Sequence, residues 1–172
     1  ILGIGAIGNV IARRFAALGF EVRGYARTPR SIEGVATFAG SDQLAAFADG
    51  LDIVVSVLPL TPETAGIMNA GFFGMLADGA FIINGGRGPQ VDDGDLLAAL
   101  DSDKLGGAAL DVFAVEPLPR DHSFWTHPKV RVWPHVAAQT NATSAAEQVA
   151  AAITAMMDGS EPANRVDWSR GY

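Results

Sequence analysis

The sequence predicts an α/β protein built on a doubly wound parallel β-sheet, with helices on both faces of the sheet. Two observations support this prediction. Short apolar runs alternate along the chain with helical patterns, as they do in successive βαβ units. The run LDIVVSVL at 51–58 is apolar at nearly every position, which is typical of a central parallel strand covered by helices on each side.

The predicted elements follow one another without an internal repeat or a low-complexity linker. Strands are expected at 21–25, 35–38, 51–58, 80–84, 105–110 and 130–133. Helices are expected at 9–18, 41–48, 69–76, 92–100 and 143–157. Glycines follow the first and last helices, and a proline ends the run at 51–58, as is typical of element boundaries. Ile1–Gly3 is interpreted as the stub of a truncated first strand, because no methionine opens the chain.

The composition narrows the class of protein. The chain has 172 residues, 49% of them apolar, which is enough for one domain with a sizeable core. Its net charge of −7 argues against a general nucleic-acid or membrane-surface binder. The absence of cysteine excludes disulfides and thiolate catalysis, and no metal site is predicted. No signal peptide or apolar run of about 18 residues occurs, so we expect a soluble, cytoplasmic domain.

The hexapeptide GIGAIG at Gly3–Gly8 fits the pattern G-x-G-x-x-G between an apolar stub and a predicted helix. The first glycine makes a tight turn, the second lets a pyrophosphate approach the backbone, and the third lets the helix pack on the strand. The N–H groups and the dipole of the helix N-terminus favour phosphate. The motif predicts a Rossmann-type dinucleotide site that includes Ala6 and Ile7, although ordinary turns and methyltransferase loops carry similar glycines.

The stretch GYARTPR ends the second predicted strand, where an acidic residue binds the ribose 2′-hydroxyl in NAD-specific folds. Ala26 takes that place and is followed by Arg27, Thr28 and Arg30. A guanidinium binds a 2′-phosphate bidentately, whereas a carboxylate would repel it. The turn therefore predicts that NADP(H) is preferred and that NAD(H) can also bind. The alternative is that both arginines are solvated surface residues.

Polar side chains follow the ends of three predicted strands. Arg87 lies in NGGRG, Glu116 in LDVFAVEP and His135 in PHVAA, and each of these stretches follows a strand. Because the carboxyl ends of parallel strands meet at the edge where open α/β sheets bind ligands, we expect the three side chains to converge.

The chemistry of these three groups is coherent. An arginine can hold a substrate carboxylate and polarise a neighbouring carbonyl, and a histidine can protonate its oxygen as hydride arrives. A carboxylate bonded to the imidazole fixes its tautomer. Together they would reduce a 2-oxo acid with a bound nicotinamide. The alternative is that Arg87 is merely exposed and Glu116 merely ends a turn. His122 and His127, in a proline-rich loop, are interpreted as packed histidines without a catalytic role.

Six motifs carry a family resemblance. GIGAIG, LPLTPET, NGGRG, ALDVFAVEPLP, HPKV and PHVAA resemble, in order and spacing, motifs of the D-isomer-specific 2-hydroxyacid dehydrogenases. The R-T pair after the second strand, SFWTHP and the terminal RGY resemble the branch of that family that reduces glyoxylate and hydroxypyruvate. The glycine pair before Arg87, Trp133 and the stretch QTNAT depart from the pattern and leave the preferred acid open.

The resemblance implies roles for matching residues. Arg87 would bind the substrate carboxylate, His135 would donate the proton, and Glu116 would be the partner of His135. Asp111 would lie near the nicotinamide carboxamide, and Arg27 would contact the 2′-phosphate. Leu58 and Pro59 would lie beside the adenine. The predicted cofactor-binding residues are Gly3, Gly5, Ala6, Ile7, Gly8, Arg27, Thr28, Arg30, Leu58, Pro59, Gly86 and Asp111.

The resemblance also implies a two-domain parent protein. Residues 1–159 would form its dinucleotide-binding domain, and the tail at 160–172, with Trp168 and Tyr172, would pack on a substrate-binding domain supplied mainly by N-terminal sequence. A homodimer through the nucleotide-binding domain is expected, and the apolar loop around 112–126 fits such a contact. Alone, the chain is expected to bind cofactor weakly and turn over poorly.

The predicted function is NADPH-dependent reduction of a small 2-oxo acid such as glyoxylate or hydroxypyruvate, with no nucleic-acid or membrane partner. The alternative is a nucleotide-sensing binding module, similar to the corepressors that share this scaffold. A SAM-binding methyltransferase would not explain Arg87, Glu116 and His135 at strand ends.

Overall fold

The computed structural model describes residues 1–163 and 165–166 of the chain. Its strands are β1 (Arg23–Ala26), β2 (Ala36–Ala39), β3 (Ile53–Ser56), β4 (Ala80–Asn84), β5 (Leu105–Leu110) and β6 (Val130–Val132). Strand β1 pairs with β2, and β3, β4, β5 and β6 pair in chain order; each of these pairs is parallel.

Leu2 connects the two groups of strands. It forms parallel bridges with Tyr25 of β1 and Ser56 of β3. Its N–H donates to the Val55 carbonyl at 2.8 Å, and the Val57 N–H donates to its own carbonyl at 2.9 Å. The strand order is therefore β2-β1-Leu2-β3-β4-β5-β6, with the topological switch point between β1 and β3. The predicted doubly wound parallel fold is confirmed, and Leu2 takes the place of the predicted first strand.

The α-helices are α1 (Ala6–Ala17), α2 (Leu44–Ala48), α3 (Ala70–Met75), α4 (Asp93–Asp101) and α5 (Ala142–Met157). Side-chain caps explain where α3 and α4 begin. The side chain of Asn69 accepts the Phe72 N–H before α3, and that of Asp92 accepts the Asp95 N–H before α4. Such caps satisfy backbone donors that have no partner inside the helix.

The core lies on both sides of the sheet. The larger cluster packs Phe47 of α2, Phe72 of α3 and Leu96 of α4 against the strands. Val54 belongs to this cluster, whereas its neighbour Val55 belongs to a smaller cluster under α1. Because adjacent strand residues point to opposite faces, α1 covers one face and α2, α3 and α4 cover the other. Full burial of one such aromatic or leucine contributes about 1.5–3 kcal/mol.

Most predicted element boundaries differ from the observed ones by one to three residues, and two of these differences have a direct structural reason. Helix α1 begins at Ala6 and not at residue 9, because Gly5 is already the N-cap and the second half of the glycine loop is helical. The third strand spans Ile53–Ser56 and not 51–58, because its pairing with β4 ends at Ser56.

The central strands are expected to be buried on both faces. Val54 and Val55 of β3 are buried as expected, but other residues of β3 and β4 are exposed. Ile53, Phe81 and Ile83 are 39%, 51% and 37% exposed. They share one face, because Ile53 pairs with Phe81 and strand residues two apart point the same way. An apolar run predicts a buried strand from composition alone, and it does not report which element covers each position.

The chain divides into two compact units, Ile1–His135 and Val136–Tyr172. All six strands and α1 to α4 belong to the first unit. In the second unit, the Asn141 side chain accepts the Ser144 N–H at 3.1 Å and caps α5. The predicted packing of the tail, including Trp168 and Tyr172, falls on residues that lie largely outside the described ones. Within the described part of the chain, no helix has the length and hydropathy to cross a bilayer.

The glycine turn is fixed by close backbone contacts. Gly3 has φ of 97°, and a Cβ there would lie 3.0 Å from the Leu58 backbone nitrogen. A Cβ at Gly8 would overlap the Gly3 carbonyl, so the start of α1 packs directly on the turn. A Cβ at Gly5 would meet no atom within 4 Å. Two of the three motif glycines are therefore required by the fold, and Gly5 faces open space.

We expect Gly8→Ala to lower the free energy of unfolding by about 2 kcal/mol or more, because its methyl group displaces backbone. Gly5→Ala is the matched control and should cost less than about 1 kcal/mol, as a change at an N-cap. Urea unfolding followed by circular dichroism measures both. Equal destabilisation by the two variants would contradict this account of the turn.

Candidate active site

The carboxyl ends of β3 to β6 lie side by side at one edge of the sheet. Three backbone hydrogen bonds join consecutive ends: Gly85 N–H to the Ser56 carbonyl (3.0 Å), Asp111 N–H to the Asn84 carbonyl (3.0 Å) and Trp133 N–H to the Leu110 carbonyl (2.9 Å). The residues that follow the strands therefore start from a fixed, shared edge. Asp111 is the first residue after β5 and is buried at this edge.

The loop after β4 carries Arg87 and is held from beneath by Asn84, which is 1% exposed. The Asn84 side-chain Oδ1 accepts the Gly86 N–H at 3.0 Å, and its Nδ2 donates to the Arg87 carbonyl at 3.2 Å. A Cβ at Gly88 would overlap the carbonyl group of Phe113, so this loop touches the loop after β5. Arg87 is exposed, and its Nη1 donates to the Gly86 carbonyl at 2.7 Å.

Glu116 and His135 form a direct pair. Glu116 Oε2 lies 2.8 Å from His135 Nδ1, and Oε1 accepts the Phe113 N–H at 2.9 Å. The bond to His135 is the largest cause that lowers the pKa of Glu116, the bond from Phe113 is second, and the charge of Arg87 adds a smaller effect. An ionised Glu116 on Nδ1 orients the imidazole and makes Nε2 the nitrogen that can exchange a proton with a substrate.

His135 has an unusual backbone conformation. Its φ is 56°, in the left-handed region that residues with a Cβ rarely adopt. Such a conformation costs about 1–3 kcal/mol and concentrates at functional sites. The imidazole is half exposed, with 50% of the side chain accessible. The strained backbone therefore presents a solvent-accessible ring while Glu116 holds its other side.

The glycine turn contacts the loop that follows β3. A Cβ at Gly86 would lie 3.0 Å from the Leu58 carbonyl oxygen, and Gly3 packs on the Leu58 backbone nitrogen. Thr64 Oγ1 donates to the Pro59 carbonyl at 2.7 Å and stabilises this loop. The structure thus brings together the predicted pyrophosphate turn, the predicted adenine wall and the first part of the Arg87 loop.

Arg27, Thr28 and Arg30 are all exposed in the turn after β1. The hydrogen bond with Thr61 is the largest cause that lowers the pKa of Glu63, and the positive charge of Arg27 adds to it. Arg27 is therefore close enough to the loop after β3 to act on its charge. Both predicted sides of the adenosine site, the arginine turn and Leu58-Pro59, lie at the same end of the sheet.

His122 and His127 have structural contacts, in keeping with their interpretation as non-catalytic. The His122 ring packs on Phe124 with centroids 4.4 Å apart, and its Nε2 lies 3.5 Å from an Asp93 carboxylate oxygen. His127 Nε2 lies 3.2 Å from Asp101. Burial is the largest influence on Asp93 and raises the pKa of its carboxyl.

Sequence reasoning missed two buried amides beneath the site. Asn84 and Gln90 are 1% and 0% exposed, and both bond to the backbone of the Arg87 loop. The available signal is an amide at the end of an apolar strand and another in a short loop, where a side chain can satisfy backbone groups.

A family model described as D-isomer specific 2-hydroxyacid dehydrogenase, NAD binding domain, matches residues 1–137. The chain belongs to this family. The resemblance carried by the six sequence motifs is thereby confirmed.

Curated and solved members of the 2-hydroxyacid dehydrogenase family are similar over the whole chain. Glyoxylate/hydroxypyruvate reductase A of Serratia proteamaculans is 48% identical over 172 residues, and the chain spans 55% of its length. A 2-hydroxyacid dehydrogenase of Xanthobacter autotrophicus Py2 in complex with NADPH and MES has a TM-score of 0.97, with 46% identity over 99% of this chain and 71% of its own. The NADPH-dependent glyoxylate/hydroxypyruvate reductase of Sinorhizobium meliloti, in complex with NADP and sulfate, has a TM-score of 0.95, with 41% identity over 99% of this chain and 55% of its own.

The pKa of Glu116 predicts a pH-dependent stability. Because the folded-state pKa lies below the ordinary value of 4.5, ionised Glu116 stabilises the fold above about pH 4.5, and this contribution is lost as pH falls through the folded-state pKa. We expect Glu116→Gln to lower the melting temperature most at neutral pH and least in acid. Glu33→Gln, at an exposed position, controls for the lost charge. A deficit in Glu116→Gln that does not shrink in acid would contradict this role.

Proposed function

We propose that the full-length protein carrying this chain is an NADPH-dependent reductase of small 2-oxo acids of the glyoxylate and hydroxypyruvate type. The observation that carries the proposal is the 2.8 Å contact between His135 Nδ1 and Glu116 Oε2 at the strand edge that also bears Arg87. Family membership supports it, and so do the NADP(H) bound in both structural relatives and the glyoxylate/hydroxypyruvate reductase activity of the Sinorhizobium meliloti protein.

The glycine turn fits a dinucleotide. Gly5 leaves open space where a Cβ would point, and the start of α1 has no side-chain cap on its N–H groups. These donors and the helix dipole would hold the pyrophosphate, with Ala6 and Ile7 exposed beside it. Arg27 would bind the 2′-phosphate, and Leu58-Pro59 would form the adenine wall. When bound, the nicotinamide supplies the hydride.

The chain's own residues would then handle the acid and the proton. Arg87 would turn its guanidinium to the substrate carboxylate, a bidentate pairing that also orients the neighbouring carbonyl. His135 Nε2 would give its proton to the carbonyl oxygen as negative charge develops there. Glu116 would stabilise the protonated imidazole before transfer and keep Nδ1 protonated afterwards. In the reverse direction His135 would remove the hydroxyl proton.

His135→Asn in the full-length protein should lower kcat with NADPH and glyoxylate by about 100-fold or more, because the proton donor is lost. NADPH affinity, measured by fluorescence, should stay within about twofold, because the cofactor residues are unchanged. His127→Asn is the matched control and should keep its activity, since His127 pairs with Asp101.

A wild-type protein that binds NADPH but reduces neither glyoxylate nor hydroxypyruvate would contradict the proposed reaction. That result would instead favour the nucleotide-sensing alternative.

Arg27→Ala should weaken NADPH binding about tenfold or more, because a charge-assisted contact to the 2′-phosphate is lost, and should leave NADH binding within about twofold. Arg14→Ala removes an exposed arginine from α1 and serves as the control. If Arg27→Ala weakens the binding of NADPH and NADH equally, Arg27 does not bind the 2′-phosphate.

The remaining expectations stay predictions. They are the cytoplasmic location, the homodimer, the nucleotide-binding domain boundary at residue 159, the packing of the tail and the weak activity of the chain alone. The roles of Thr28, Arg30, Gly86 and Asp111 toward the cofactor are proposals of the same kind.

A further inference from the structure

Gln90 is buried beneath the loops that carry the proposed cofactor and acid sites, and its side chain bonds to groups of those loops and of β3. It ends the short 3₁₀ turn at Gly88–Gln90, and its side chain is fully buried. We propose that Gln90 is a positioning residue that couples the adenine wall at Leu58-Pro59 to the substrate-binding Arg87. The inference rests on the proposed function and adds to it a determinant of both cofactor and acid binding.

The amide of Gln90 bridges two loops with every polar atom that it has. Its Nε2 donates to the Leu58 and Pro59 carbonyls, each at 3.0 Å. Its Oε1 accepts the Arg87 N–H at 3.1 Å and lies 3.4 Å from Ser56 Oγ, which can donate to it. Two donors and two acceptor positions are the full capacity of a glutamine side chain. One buried amide thus ties the end of β3, the loop after β3 and the backbone of Arg87 together.

The backbone of Gln90 is fixed independently of its side chain. Its N–H donates to the Arg87 carbonyl at 3.2 Å, and its carbonyl accepts the Met68 N–H at 2.9 Å. A Cβ at Gly86 would lie 2.5 Å from Gln90 Oε1, so the glycine at 86 leaves the space that the amide occupies. The Gln90 amide is therefore held in one position, and its hydrogen bonds hold the loop after β3 and the Arg87 loop in place around it.

Loss of this bridge has a specific consequence. An apolar side chain of equal size would leave the Leu58 and Pro59 carbonyls and the Arg87 N–H without a buried partner. Both loops would then shift toward water to satisfy these groups, which moves the adenine wall and the guanidinium. Glu116 and His135 follow β5 and β6 and keep their own contact, so the proton transfer itself should change little.

The test is Gln90→Met in the full-length protein, with NADPH binding followed by fluorescence and steady-state reduction of glyoxylate. The dissociation constant of NADPH and the KM for glyoxylate should each rise about tenfold, with kcat at saturation within about threefold. Gln43→Met is the matched control: its Oε1 accepts the Ala39 N–H at 2.7 Å, and all three parameters should stay within about twofold.

Gln90→Glu separates the effect on NADPH binding from the effect on glyoxylate binding. Its carboxylate keeps an acceptor for the Arg87 N–H but places oxygen against the Leu58 and Pro59 carbonyls, so the NADPH constant should rise more than the KM for glyoxylate. A folded Gln90→Met protein with both constants within twofold of wild type overturns the inference. Should Gln90→Met fail to fold, an unchanged NADPH constant in Gln90→Glu overturns it.

Failure of the proposed function is distinguishable from failure of this inference. A wild type that binds NADPH without reducing glyoxylate refutes the reaction, while the NADPH constants still decide whether Gln90 holds the adenine wall. A wild type that does not bind NADPH overturns both.

Discussion

The site depends on the close approach of two loops at Gly88. A Cβ at this position would overlap the Phe113 carbonyl, so only glycine lets the loop after β4 lie against the loop after β5. Arg87 is the neighbour of Gly88, and Phe113 donates its N–H to Glu116. A single backbone contact between segments 25 residues apart in the sequence therefore holds the loop that carries Arg87 against the loop that carries Glu116.

Buried and exposed polar groups have different roles at this edge of the sheet. Asn84 and Gln90 are uncharged and nearly inaccessible, and the oxygen and nitrogen of each side-chain amide are hydrogen-bonded, so they hold backbone in place at little desolvation cost. Arg87, Glu116 and His135 are at least partly exposed and can therefore stay charged or exchange protons with bound ligand. The neutral amides give the charged groups fixed positions, and the charged groups supply the chemistry.

The sequence was most informative where local chemistry is tied to position. Alternating apolar runs predict the parallel sheet because a strand covered on both faces needs them, and GIGAIG predicts the turn because Gly3 and Gly8 have no room for a side chain. The convergence of Glu116 and His135 could be expected because each follows a predicted parallel strand, and their direct pairing is implied by the family resemblance. The family model and the relatives bear out the family that six motifs indicated.

The structure adds the features that depend on contacts between residues far apart in the sequence. The amide in a short loop is a weak signal for the burial of Gln90, because two of its partners, Leu58 and Pro59, lie more than 30 positions away in the sequence. The exposure of Phe81 and Ile83 also cannot be predicted from an apolar run, because their burial depends on which elements pack against the strand. Helix α1 begins earlier than predicted because glycine is a weak helix former by propensity, whereas the turn at Gly3 already directs the chain into a helix.

The most direct test is a crystal structure of the full-length protein with NADP and oxalate, an unreactive analogue of a small 2-oxo acid. The account predicts a pyrophosphate on the Gly3–Gly8 turn, an oxalate carboxylate on the Arg87 guanidinium and an oxalate oxygen within about 3.2 Å of His135 Nε2. Oxalate bound away from these residues, with Arg87 still turned to the Gly86 carbonyl and His135 separated from Glu116, would contradict it.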